Sequence, residues 1–215
     1  MIAAVIFDLD GTLIDSFAGM IATARQVLAE AGYPLPSVEH LHRQLRRGLT
    51  LAEVFHSLGL GPTQSTVLLE RYRERYREET VLQVRPFPEV QPCLAALAAA
   101  GFPLAVATAK RQDVARKALA VTGLLPYFQA VVGQDGVSPS KPHPAMVEHL
   151  AARLGRLPAQ CLVVGDSLAD IQMGKAAGAW TCGVLAGEPF DELRQLQPDW
   201  LIDRLSELPP LLGLA

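Results

Sequence analysis

Cysteine is scarce in this chain of 215 residues: there are three, Cys93, Cys161 and Cys182, far apart and set among apolar neighbours. That excludes a disulfide framework and a C-x-x-C metal site, and it suits a reducing compartment in which the thiols are packing residues. No apolar run is long and charge-free enough to span a bilayer. No signal peptide is expected, because Met1 to Phe7 has no basic region and runs straight into Asp8 and Asp10. The expected location is cytoplasmic. The chain has no lysine-rich tract and a net charge of −3, so nucleic acid and membrane surfaces are not its expected partners. Neither G-x-x-x-x-G-K-[ST] nor G-x-G-x-x-G occurs, which removes the nucleotide-binding loops, and there is no internal repeat.

What is present is an ordinary globular composition, 50% hydrophobic and 19% charged, at a length that buries a sizeable core. Short apolar runs read as buried parallel strands: AAVIFDLD, PLAVATA, QAVVG, CLVVGD, WTCGVL and DWLID. Between the later ones lie helix-period segments such as VQPCLAALAAAG, RQDVARKALAVTG, HPAMVEHLAARLG and LADIQMGKAAGA. The alternation predicts an α/β fold, a doubly wound Rossmann-like parallel sheet. From about Ser16 to Arg85 the rhythm breaks and only helical patterns occur. Residues 16–85 are therefore expected to form an inserted α-helical cap domain, and residues 1–15 with 86–215 the core domain. The cap would hang over the carboxyl end of the first strand, where such sheets bind ligands.

The polar residues at the strand ends carry the chemistry. Asp8 and Asp10 close the first run, Thr108 followed by Lys110 the second, and Asp166 the fourth, with Ser167 and Asp170 just beyond; Lys141 lies in SPSKPHP after the third. On adjacent parallel strands these groups converge on one rim. Four carboxylates that close need a cation, and hard oxygen ligands at this density suit Mg²⁺. Mg²⁺ in turn favours a phosphate ester as substrate, with Thr108 and Lys141 holding the remaining phosphate oxygens. One member of the Asp8/Asp10 pair then attacks phosphorus while the other exchanges protons with the leaving oxygen and with water. Spacing alone does not say which is which.

DLDGTLIDS, the Thr108 strand end, Lys141 in SKPHP and GDSLADIQMGKAAGA resemble the four ordered motifs of the haloacid-dehalogenase superfamily over nearly the whole chain. The resemblance implies Asp8 as nucleophile and Asp10 as acid/base. It implies Mg²⁺ held by Asp8, the Asp10 main-chain oxygen and Asp166, with Asp170 supporting them, and Thr108, Ala109 and Lys141 as phosphate binders. The helical insertion is similar to the small cap of the subgroup containing phosphoglycolate phosphatases. Phosphoglycolate is accordingly the expected substrate, with other sugar or organic phosphates, nucleotides and pyrophosphate as alternatives. Dehalogenases of the superfamily lack an acid at the position of Asp10, and sugar-phosphate mutases usually carry a histidine where this chain reads SFAGMIATA. Two positions depart from the family pattern: Glu89 stands where glycine is usual, and Ala109 where a small polar residue or glycine is commoner.

Blander readings compete. A lone Asp-x-Asp is often a strand-to-turn transition, Lys141 sits beside helix-starting prolines, and Asp166 and Asp170 suit a helix N-terminus. A receiver-like signalling domain also gathers carboxylates, a threonine and a lysine around Mg²⁺, although the length and the inserted lobe count against it. Within the insertion, Thr50 and Glu53 fit a capping box. Arg46 and Arg47 precede it and are candidates to reach a substrate carboxylate when the cap is closed. ERYRERYREE reads as an exposed helix laced with i,i+4 pairs, and His40, His42 and His56 have no metal spacing.

Overall fold

The protein is described from a computed structural model covering residues 1–187 and 190–214. In chain order its elements are β1 (Ala4–Phe7), β2 (Ile14–Asp15), α1 (Phe17–Glu30), α2 (Val38–Arg46), α3 (Leu51–Ser57), α4 (Pro62–Glu78), β3 (Arg85–Pro86), α5 (Val90–Ala99), β4 (Leu104–Ala107) and α6 (Gln112–Val121). There follow β5 (Ala130–Val132), α7 (Ala145–Arg153), β6 (Cys161–Gly165), α8 (Leu168–Ala176), β7 (Trp180–Val184), α9 (Asp191–Gln195), β8 (Trp200–Ile202) and α10 (Leu208–Leu211).

Six strands make one parallel sheet in the order β5-β4-β1-β6-β7-β8. All six apolar runs singled out in the sequence are in it. Alternate β1 residues serve opposite faces. Val5 and Phe7 join the core made with α5 and α6, whereas Ala4 and Ile6 join the core made with α7 and Met173 of α8. Burial on both faces is why the strands read as unbroken apolar runs rather than alternating ones. Chain order reverses at β1, which pairs with β4 on one side and β6 on the other. A crevice at the carboxyl ends therefore opens beside β1 and β6, the topological switch point where doubly wound sheets place ligands.

The helical cap, α1 to α4, is built on amphipathic faces: α1 buries Ile21, Ala24, Val27 and Leu28, and α4 buries Leu68, Tyr72 and Tyr76. Local signals start the helices. Ser37 caps α2 by accepting from His40 N, and Thr50 and Glu53 form the expected capping box of α3. The cap leaves and returns through a two-stranded antiparallel ribbon, Ile14 opposite Pro86 and Asp15 opposite Arg85. The sequence reading did not anticipate this ribbon, because two residues per strand show no periodicity. Glu89 has φ −85°, a backbone open to any residue, so no glycine is needed there. Among the described residues no helix is long and apolar enough to cross a membrane.

Candidate active site

Asp8 lies one residue beyond β1, and its N–H donates to the Val164 carbonyl at 2.8 Å, carrying the parallel ladder to the strand end. Asp166 lies one residue beyond β6, where Thr12 Oγ1 donates to its Oδ1 at 2.8 Å. Asp170 opens α8 in a capping box: its Oδ2 accepts from Ser167 Oγ at 2.6 Å and from Ser167 N at 3.1 Å. The helix-cap reading of Asp170 thus holds, and its second oxygen still serves the site. Asp8, Asp166 and Asp170 each offer an oxygen, and these atoms all lie within 4.8 Å of one another. Glycines permit that crowding. A Cβ on Gly11, at φ +84°, would stand 2.4 Å from Asp166 Oδ2, and one on Gly165 would stand 2.4 Å from Asp170 Cγ.

One ammonium serves this cluster. Lys141 Nζ donates to Asp8 Oδ1 at 2.6 Å and to Asp170 Oδ1 at 2.5 Å. Burial works against the lysine's charge, but Asp170 and Asp8 outweigh it and raise its pKa above the ordinary lysine value. Three carboxylates against the Lys141 ammonium and the Arg46 guanidinium, whose Nε lies 4.0 Å from Asp166 Oδ2, still leave excess negative charge in a closed space. Burial, opposed by Lys141 and reinforced by Asp170, Asp166 and Asp10, pushes the Asp8 carboxyl well above the usual carboxylate range. Burial and then Asp170 push Asp166 up to about 7, against the Thr12 hydrogen bond and Arg46. Oxygen-only donors, close-set and under-neutralised, fit a hard divalent cation.

Asp10 is partnered differently. Its Oδ1 lies 3.0 Å from Lys110 Nζ and accepts from Ser16 Oγ at 2.6 Å. Lys110 in turn stands over the ring of Tyr76, on cap helix α4, 4.2 Å from its centroid. Buried Thr108 accepts from Lys110 N at 3.1 Å, which leaves its hydroxyl proton to donate; it lines the cavity with Ala109 and Lys141. The sequence reading missed the roles of Lys110, Thr12 and Tyr76. Lys110 and Thr12 each stand two residues from an aspartate or threonine already singled out. Tyr72 and Tyr76, one helical turn apart, were the available sign that ERYRERYREE has a buried face.

That segment differs from expectation in this face and in its ion pairs. Among the described residues its ion pairs are Glu70 with Arg73, at i,i+3, Arg77 with Glu78 at 3.5 Å, and Arg75 with Glu30 of α1 at 2.9 Å, none of them at the expected i,i+4, while the tyrosines turn inward. Arg46 and Arg47 are not among the residues lining the cavity. Arg46 is buried at the seam between cap and core, donating to the Leu185 carbonyl at 3.2 Å, over the Phe190 ring, with Nε 4.0 Å from Asp166 Oδ2. Arg47 pairs with Glu192 at 2.9 Å on the exposed side of that seam.

The cavity beneath the cap has a volume of about 160 Å³ and is reached by Asp8, Asp10, Thr108, Lys141 and Asp166. Fold and site together define a capped α/β enzyme whose acidic strand-end centre is enclosed by helices. The family of haloacid dehalogenase-like hydrolases matches residues 5–184, and the chain belongs to that family. It is 34% identical over 212 residues to a phosphoglycolate phosphatase of Pectobacterium atrosepticum, covering 96% of this chain and 91% of that one. It is likewise 34% identical over 214 residues to a phosphoglycolate phosphatase of Aquifex aeolicus, covering 97% and 95%. Among solved structures, a predicted phosphoglycolate phosphatase from Haemophilus somnus superposes with TM-score 0.85 at 26% identity, covering 98% of both chains. A hydrolase of the family from Deinococcus radiodurans, solved with bound phosphate and sodium, superposes with TM-score 0.74 at 28% identity, covering 99% of this chain and 95% of that one. The protein is thus a hydrolase of the phosphatase kind, acting on phosphoric monoester bonds.

Proposed function

We propose that the protein hydrolyses a small phosphorylated metabolite in a Mg²⁺-dependent reaction that passes through an aspartyl phosphate on Asp8. Residues 1–15 and 86–215 would act as the catalytic core and residues 16–85 as the cap. The observation that carries this reading is the meeting of Asp8, Asp166 and Asp170 at the switch point of the sheet, with the Lys141 ammonium bridging Asp8 and Asp170. Asp8 and Asp166, with the Asp10 main-chain oxygen and support from Asp170, would hold the metal. Mg²⁺ bound there would offset the excess negative charge and polarise a phosphoryl oxygen.

The chain's own groups account for the remaining steps. An oxygen of Asp8 attacks phosphorus as the ester P–O bond breaks, and Asp10 gives a proton to the departing alkoxide oxygen. Lys110 and Ser16 hold the Asp10 side chain in place as it gives that proton and later regains one. The Thr108 hydroxyl and Lys141 donate to the phosphoryl oxygens, and the backbone beside Ala109 borders the same space. Water then attacks phosphorus as Asp10 takes up its proton, and the P–O bond to Asp8 breaks, releasing phosphate and regenerating the Asp8 carboxylate. The cap keeps bulk water out during transfer.

The names of the relatives put phosphoglycolate first among substrates to try. Phosphate release from a panel of phosphorylated metabolites should require Mg²⁺, cease in EDTA and be lost in Asp8→Asn. Equal turnover by Asp8→Asn, or full activity in EDTA, would overturn the proposal.

A further inference from the structure

Lys110 joins the cap to the Asp10 carboxyl. It lies beyond the end of β4, where its N–H donates to Thr108 Oγ1 at 3.1 Å and its carbonyl accepts from Gln134 N at 3.0 Å, so its backbone is fixed. Its buried ammonium has partners on both sides. Nζ lies 3.0 Å from Asp10 Oδ1 and 4.2 Å from the ring centroid of Tyr76 on α4, whose hydroxyl is a further partner. Burial works against the lysine's charge, but Asp10 and Tyr76 outweigh it and hold its pKa above the ordinary lysine value. Tyr76 is itself held. It is 2% exposed, Tyr72 stacks on it with ring centroids 5.6 Å apart, and Lys117 Nζ of α6 donates to the neighbouring Arg77 carbonyl at 2.7 Å.

Asp10 Oδ1 also accepts from Ser16 Oγ at 2.6 Å. With both donors on Oδ1, a proton carried by this carboxyl belongs on Oδ2, the oxygen that neither of them occupies. A lysine stem is flexible, and a contact with Asp10 at its tip does not fix it alone; the tyrosine supplies the second anchor. We infer that Tyr76 is a positioning residue for the acid step: through Lys110 it holds Oδ1 of Asp10 and so keeps the proton-bearing Oδ2 aimed at the leaving oxygen. The inference rests on the phosphatase reading, with Asp10 as its acid, and gives the cap a part in the chemistry besides excluding water.

Phenyl phosphate and 4-nitrophenyl phosphate, esters of nearly one shape, test it with the full-length protein and Mg²⁺. Nitrophenolate departs readily without a proton and phenolate does not, so an acid held out of place shows in phenyl phosphate first. In Tyr76→Leu the kcat/KM of phenyl phosphate should fall about tenfold more than that of 4-nitrophenyl phosphate, part of the factor that a well-placed acid supplies. Lys110→Met should do the same, and the double variant should add nothing further, because the two residues act in series. Tyr76→Phe keeps the packing and serves if the leucine variant does not fold; it should show about a threefold difference, the scale of the lost hydroxyl contact. Equal losses on both esters in Tyr76→Leu and Lys110→Met would mean packing alone and overturn the inference, as would additive effects in the double variant or an unchanged ratio in Tyr76→Phe. A parent protein that hydrolysed no phosphomonoester at all would bring down the phosphatase reading itself, an outcome distinct from a parent that hydrolyses both esters and variants that leave their ratio unchanged.

Discussion

Removing divalent metal from the protein should make its stability fall as pH rises. In the metal-free fold Asp166 is wholly buried, and burial together with Asp170 lifts its carboxyl to about 7 from an ordinary 3.8. An acid whose folded pKa is raised binds more protons folded than unfolded, so the slope of unfolding free energy with pH is negative between those two values. Stability from this group is intact below about pH 4, declines to about pH 7 and is level above it. Between about pH 5.5 and about pH 8 the loss is about 2 kcal/mol. Urea unfolding in EDTA at the two pH values measures the total, and Asp166→Asn isolates this residue's share. Asparagine keeps an acceptor for Thr12, whose hydroxyl donates to Oδ1. The variant should therefore gain on the parent by about 2 kcal/mol more at about pH 8 than at about pH 5.5. An identical pH profile for parent and variant would refute the reasoning that places an under-neutralised carboxylate there.

Adjacent arginines should behave oppositely. Arg46→Ala removes a buried guanidinium that ties α2 to the Leu185 carbonyl beside Asp166, and should cost about 3 kcal/mol in a chemical melt, whereas Arg47→Ala loses an exposed pair and should cost under about 1 kcal/mol. Gly11→Ala combines a positive φ with a Cβ 2.4 Å from Asp166 Oδ2 and should cost about 2 kcal/mol or more, read from thermal unfolding, with activity lost as Asp166 shifts. Gly165→Ala, whose Cβ would meet Asp170 at 2.4 Å, should weaken Mg²⁺ binding measured by titration calorimetry, while the circular dichroism of the sheet stays unchanged.

The sheet was legible in the sequence because its strands are buried on both faces: AVIF, LAVA, AVV and CLVVG carry no polar residue to interrupt them. The strand-end residues were legible for the complementary reason, since a carboxylate directly after such a run has no packing explanation. Long-range pairing was not. Nothing in DLDGT says that Asp10 turns to Lys110 rather than to Asp8, because that choice depends on how far the β4 end lies from the β1 end. Arg46 was singled out for its charge and its place before a helix cap. Its direction, into the seam and over Phe190, is set by residues more than a hundred positions away. Charge alternation in ERYRERYREE hid the two tyrosines, whose i,i+4 spacing marks the face that α4 turns toward the site.

The proposed reaction turns on a covalent step at a single carboxylate. Acid quenching during turnover of a substrate labelled in its phosphoryl group, followed by peptide mapping, tests it directly. Label should be recovered on the peptide holding Asp8 and disappear in Asp8→Asn. Steady turnover with no labelled protein, or label on any other side chain, would contradict the account.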